Sequence, residues 1–142
     1  MKIHRHGSAV WSGGLKDGHG AISTQSGALK EQPYGFAMRF EDKPGTNPEE
    51  LIAAAHAGCF TMALSLALGE AGFTAEKMET KATVALEKGD DGFSIPAIKL
   101  VLTATIPGID DTKFQQIAAA AKAGCPVSKV LRAEITLEAT LT

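Results

Sequence analysis

The chain has 142 residues, 44% of them hydrophobic, with 14 basic and 16 acidic side chains and a formal net charge of −2. That length fits a single domain over 1–142 that buries about 70% of its unfolded surface, so it needs no disulfide or metal staple to hold a core. Near-neutral charge and 6% aromatic content supply neither the basic stripe nor the stacking platform of a nucleic-acid binder, and no pull toward an anionic membrane.

Lys2 to Trp11 alternates roughly and predicts a strand ending at the Ser12-Gly13-Gly14 turn. The basic residues before Gly7 are followed by no apolar core, so no signal peptide is read and the cytoplasm is the expected compartment. His19 to Thr24 predicts a second strand. Gly27, Pro33 and Gly35 mark loops, and the aromatics of Phe36-Ala37-Met38-Arg39-Phe40 favour a third strand.

Gly45-Thr46-Asn47-Pro48-Glu49-Glu50 is a helix start. Asn47 can cap, Pro48 suits the first helical position, and both glutamates favour the positive end of the dipole. Asn47 and Glu50 have the spacing of a capping box, with Asn in place of Ser or Thr. The helix is expected to run to about Ala71 and stop at Gly72. Leu51 to Leu68 carries no formal charge, long enough for a membrane span. It is built on alanine, contains His56, Gly58, Thr61 and Ser65, and is followed by no second such segment. A buried helix of a soluble protein is the reading.

Thr80 to Glu87 and Phe93 to Ile106 predict strands joined by a turn at Lys88 to Gly92. Asp110-Asp111-Thr112 starts a helix over Lys113 to Ala123. Cys125-Pro126 opens a short helix reaching about Leu131, and Glu134 to Thr142 alternates as a last strand. Strands, helix, strands, helices and strand in that order make an α+β pattern, not repeated βαβ units.

The chemistry-bearing residues are few. Cys59 sits at the centre of the apolar helix, where a buried thiol can be plain core packing. Cys125 precedes a helix start, whose free backbone N–H groups favour a thiolate. The two could cycle between dithiol and disulfide, but sequence separation does not say whether they meet. His56 and Cys59, at i and i+3, could offer two ligands to one metal; with no further donors near them, His56 reads as a core histidine. Arg39, in an apolar stretch, needs a carboxylate or thiolate partner or must snorkel to the surface. There is no phosphate loop, dinucleotide fingerprint or Gly-x-Ser-x-Gly elbow, and no Cys-x-x-Cys motif of a disulfide exchanger.

Thr46-Asn47-Pro48-Glu49-Glu50-Leu51, Ala54-Ala55-His56-Ala57-Gly58-Cys59-Phe60, Gln32-Pro33-Tyr34-Gly35-Phe36 and Ala123-Gly124-Cys125-Pro126-Val127-Ser128 together resemble the OsmC/Ohr family of osmotically inducible proteins and organic hydroperoxide reductases. The likeness covers the whole chain in order and length. The early glycine-rich segment Ser12 to Gly18 lacks the arginine of the Ohr branch, whereas Arg39 matches the strand arginine of the OsmC branch. The resemblance implies an OsmC-like α+β fold, antiparallel sheets wrapped around long central helices in an intertwined dimer. It implies a thiol peroxidase with no bound cofactor and no metal. Cys59 would be oxidised to a sulfenic acid, Cys125 would condense with it, and an external dithiol, such as a lipoyl group, would reduce the disulfide. Arg39, held by Glu49, would offset the desolvation of the Cys59 thiolate.

Helix geometry adds an expectation about assembly. Glu49 and Cys59 are ten residues apart on one helix, roughly 15 Å along its axis and about 80° apart around it. One chain's Glu49 therefore cannot join its own Cys59 in a compact site. Two copies of the helix crossing antiparallel near Ala54 would bring Glu49 of one level with Cys59 of the other, and the small residues Ala53 to Gly58 permit close approach. A homodimer with shared sites is expected, acting on small hydroperoxides. The alternative from a different class is a non-catalytic dimeric scaffold whose apolar cleft holds a small hydrophobic ligand.

Overall fold

The N-terminal alternation produces three short antiparallel strands, β1 (Gly7–Ser12), β2 (His19–Thr24) and β3 (Gln32–Tyr34), paired in the order β1-β2-β3. This computed structural model describes residues 1–142 and divides into two compact units, Met1–Leu51 and Ile52–Thr142. The first strand begins at Gly7, not Lys2, because β2 supplies partners only as far as Thr24 opposite Gly7. Gly20 lies opposite Tyr34 in the register. A Cβ there would run into the Tyr34 and Trp11 rings, which pack at a tilt with centroids 5.3 Å apart.

Phe36–Phe40 is a five-residue helix, α1, where aromatic content predicts a strand. Tyr34 is the last residue of β3, and beyond it the backbone turns helical. The Arg39 amide donates to the Gly35 carbonyl at 3.1 Å and the Glu41 amide to Ala37 at 3.1 Å. The helical turn brings Phe36 and Phe40 together, with ring centroids 5.0 Å apart, a pairing i,i+4 spacing allows on a helix. Arg39 is therefore a helix residue, not a strand residue.

The long helix α2 spans Pro48–Glu70 and starts as its sequence dictates. The Glu50 amide donates to Asn47 Oδ1 at 2.8 Å. The Asn47 side-chain amide donates to the Glu50 carboxylate and, at 3.2 Å, to the Met38 carbonyl. This is a capping box closed between side chains. Gly72 ends the helix with φ +88°, and the Phe73 amide reaches back to Leu68 O at 2.8 Å, the reverse turn that glycine permits.

In the second unit, β4 (Lys77–Val84) and β7 (Ala97–Thr105) pair antiparallel, and the small ladder of β5 (Glu87–Gly89) and β6 (Gly92–Ser94) forms the tip between them. The last strand, β8 (Glu134–Leu141), joins β7 in parallel, with Ala97 opposite Glu134. The sheet is thus mixed, not wholly antiparallel. The parallel partner is reached through a crossover carrying α3 (Asp111–Gly124) and α4 (Pro126–Val130), the connection parallel pairing requires. Asp110 caps α3 by accepting from the Lys113 amide at 2.7 Å.

Strict alternation in β7 buries Ile98, Leu100, Leu102 and Ala104 on one face. They form one core with Phe114, Ala118 and Ala121 of α3 and with Phe60, Leu64 and Leu68 of α2. The α2 residues fully buried within the chain are His56, Phe60, Leu64 and Leu68, a single i,i+4 row. Uniform burial, expected of so apolar a helix, is absent. Ala54, Ala55, Gly58, Ser65 and Gly69 are exposed, as are Met62 at 76% and Leu66 at 66%. α2 is long and apolar enough to cross a membrane by length and composition alone, but its buried row belongs to the core of a folded unit.

Candidate active site

The cysteines that the sequence leaves apart come together. Cys59, half-buried on α2, and Cys125, fully buried between α3 and α4, are both unpaired thiols with sulfurs 3.0 Å apart. That is hydrogen-bonding distance, roughly 1 Å longer than a covalent S–S bond. Cys59 is placed by the helix row that buries Phe60. Cys125 is placed by the break between two helices: its amide donates to Ala121 O at 2.9 Å, its carbonyl accepts from the Lys129 amide at 3.1 Å, and Pro126 forces the chain to restart.

The two thiols differ electrostatically. Burial, first, and the hydrogen bond with Cys125, second, push the Cys59 thiol above its ordinary value, against a weaker pull from the Val127 amide. Burial pushes Cys125 up too. Hydrogen bonds from Cys59, from the Ser128 amide and hydroxyl and from the Val127 amide outweigh it and leave Cys125 below its usual value. The donors gathered around Cys125 make it the sulfur better able to carry charge in the single chain. Cys59 would need a cation from elsewhere to ionise.

His56 is fully buried, as a core histidine should be, yet it is not inert packing. Its Nε2 lies 2.8 Å from Ser128 Oγ, three residues after Cys125. Ser128 carries no prediction from sequence. The signal available was its place three residues after Cys125 with a buried histidine one turn from Cys59. Burial holds His56 below its ordinary value of 6.5, in the neutral form. No group of three or more His, Cys, Asp or Glu side chains converges to hold a metal ion.

The first unit contains the other two expected residues, and they meet. Arg39 Nε and Nη2 both donate to Glu49 Oε1, at 3.1 and 2.8 Å. The carboxylate is the more sheltered partner, with 11% of its side chain exposed against 38% for the guanidinium. Glu50, by contrast, is spent on the Asn47 cap. Arg39 also lies 5.5 Å from the Phe40 ring centroid and helps line a mainly apolar cavity of about 190 Å³ with Trp11, Leu15, Tyr34 and Phe36. One fixed cation beside apolar walls suits a ligand with a polar head and a hydrocarbon tail.

A sequence profile of OsmC-like proteins matches residues 40–140. The chain is 59% identical over 138 residues to "Peroxiredoxin OsmC" of Escherichia coli K12, covering 97% of this chain and 96% of that protein. It is 30% identical over 133 residues to "Organic hydroperoxide resistance protein OhrB" of Bacillus subtilis, covering 93% and 94%. Among solved structures, that of B. subtilis OhrB matches with a TM-score of 0.67 at 29% identity, over 96% of this chain and 98% of the other. An OsmC-like protein from Mycoplasma pneumoniae matches at 0.78 with 17% identity, over 100% and 99%, a likeness of fold.

Proposed function

The chain belongs to the OsmC-like family and is a thiol-dependent peroxidase; we propose that Cys59 is the sulfur its peroxide oxidises and Cys125 the sulfur that closes the cycle. The observation carrying this reading is the 3.0 Å approach of two unpaired, sheltered thiols. The Cys59 thiolate attacks the terminal peroxide oxygen. The O–O bond breaks, an alcohol leaves once protonated, and the sulfur becomes a sulfenic acid. Cys125 then forms the disulfide as hydroxide leaves Cys59 and is protonated to water. An external dithiol, lipoyl or another small one, returns two electrons and two protons. The cycle needs only these thiols. Organic hydroperoxides are the preferred substrates and hydrogen peroxide a weaker one, because apolar walls such as those around Arg39 hold a hydrocarbon tail.

Burial opposes ionisation of Cys59, so its thiolate calls for a nearby cation. Arg39, steadied by Glu49, is that cation in this reading, supplied across a two-fold dimer. The uncovered α2 face, with Gly58 and Met62 exposed, supports an antiparallel α2 crossing near Ala54. That crossing sets Glu49 of one chain level with Cys59 of its partner. The working compartment is the cytoplasm, where free thiols persist.

Mass spectrometry of single variants after one equivalent of cumene hydroperoxide tests the roles. Cys59→Ser is expected to leave the peroxide intact. Cys125→Ser is expected to consume one peroxide and stop at a sulfenic acid. Turnover by Cys59→Ser would overturn the assignment.

A further inference from the structure

His56 Nδ1 is buried without any hydrogen-bond partner, the sole buried side-chain nitrogen or oxygen so placed. That orphan fixes the direction of a hydrogen bond. A neutral imidazole has one N–H. If the proton sat on Nδ1, a donor would be stranded in the core; stranding a lone pair instead is the less costly fault. The proton therefore sits on Nε2 and is donated to Ser128 Oγ across 2.8 Å. The bond joins α2, which carries Cys59, to the first turn of α4, which Cys125 opens.

We infer that His56 and Ser128 are positioning residues for the second half of the cycle, a buried tie between α2 and the start of α4 that holds Cys125 against Cys59. This rests on the proposed roles of the two cysteines. In the step concerned, Cys125 sulfur attacks the Cys59 sulfenic sulfur. The S–S bond forms and the S–O bond breaks, with its electron pair leaving on hydroxide, which takes a proton from solvent. Cys125 is oxidised and the sulfenic sulfur reduced. The His56–Ser128 bond keeps the start of α4 docked on α2, so the two sulfurs stay at 3.0 Å and the approach of Cys125 is fixed. The tie involves neither peroxide nor guanidinium, so it acts on disulfide formation rather than on Cys59 oxidation.

The test is a single-turnover measurement with one equivalent of cumene hydroperoxide, following peroxide loss, the dimedone-trapped Cys59 sulfenic acid and the Cys59–Cys125 disulfide. Ser128→Ala is expected to lower the rate of disulfide formation about tenfold relative to the rate of Cys59 oxidation, the worth of one good hydrogen bond. The trapped sulfenic acid accumulates accordingly. Ser128→Thr, which keeps the hydroxyl, restores the ratio. His56→Gln, which keeps a donor, stays nearer the parent than His56→Leu. Thermal melts confirm that the compared variants are folded, and Ser128→Ala, a one-atom deletion, carries the test if His56→Leu is not. An unchanged ratio in folded Ser128→Ala, or equal slowing in the Thr and Ala variants, overturns the inference while the peroxidase reading stands. A parent protein that consumes no peroxide overturns both.

Discussion

If the proposed dimer forms through the exposed α2 face, replacing Met62 and Leu66 together by lysine should convert it into monomers. The two residues are one turn apart on α2 and leave 76% and 66% of their surface uncovered in the single chain. Full burial of a Met or Leu side chain contributes about 1.5–3 kcal/mol, so covering their exposed fractions contributes about 1–2 kcal/mol each. A two-fold interface uses each residue twice. Four side chains then contribute about 4–8 kcal/mol, or three to six orders of magnitude in the dissociation constant at roughly 1.4 kcal/mol per tenfold. Lysine is nearly as good a helix former as methionine or leucine. The isolated chain should lose only a few tenths of a kcal/mol from the like-charge i,i+4 pair. Sedimentation velocity across micromolar concentrations would report the shift, with peroxide turnover measured on the same samples. If Arg39 and Glu49 serve the partner's Cys59, turnover falls with the dimer fraction. A double variant that stays dimeric at low concentration would refute this face as the interface. A monomer with full turnover would refute the shared site.

Two further outcomes follow from particular residues. Arg39→Ala should slow Cys59 alkylation at neutral pH by tenfold or more if, as proposed, its cation stabilises a desolvated thiolate. It should cost under about 1 kcal/mol in urea denaturation, because its guanidinium is 38% exposed and such pairs contribute little. Arg39→Lys should recover only part of the rate, since both contacts to Glu49 Oε1 come from one rigid fork; an alkylation profile identical to the parent would remove Arg39 from the site. His56 makes stability pH-dependent. Its folded value lies below the unfolded 6.5, so the unfolded chain binds the extra proton and stability falls as pH drops from about 6.5 toward the folded value, by at most about 1.4 kcal/mol per pH unit. His56→Gln should flatten that decline, and unchanged curves between pH 7.5 and 5.5 would show that His56 is not its source.

The helix start, its stop at Gly72 and the strands at His19–Thr24 and Glu134–Leu141 were legible because each rests on local chemistry: a cap, a left-handed glycine, an alternation. Phe36–Phe40 was not. Aromatics favour strands only where a pleated neighbour receives them, and here the two rings serve each other across a helical turn. The direction of β8 was also hidden, since alternation reads the same in parallel and antiparallel ladders. The uncovered α2 face follows the same logic. Composition shows that the helix is apolar all round, but only the fold shows that its own chain covers a single row. Within the site, Arg39 and Glu49 were paired through resemblance, and the meeting of Cys59 with Cys125, 66 positions away, needed the crossover to be built. Ser128 passed unnoticed because a serine near a helix start ordinarily has a capping role.

That crossover also sets an order of events during synthesis. Cys59 emerges on α2, 66 positions before Cys125, which lies in the crossover between β7 and its parallel partner β8, a pairing that spans 37 residues from Ala97 to Glu134. Chains fold from the N-terminus as they are made, at about 5–20 residues per second, so for seconds the first thiol stands without the second. A Cys59 sulfenic acid formed in that window finds no second thiol to close the disulfide, and further oxidation leads to the irreversible sulfinic and sulfonic acids. Until Cys125 arrives, the chain lacks the partner that makes oxidation of Cys59 reversible.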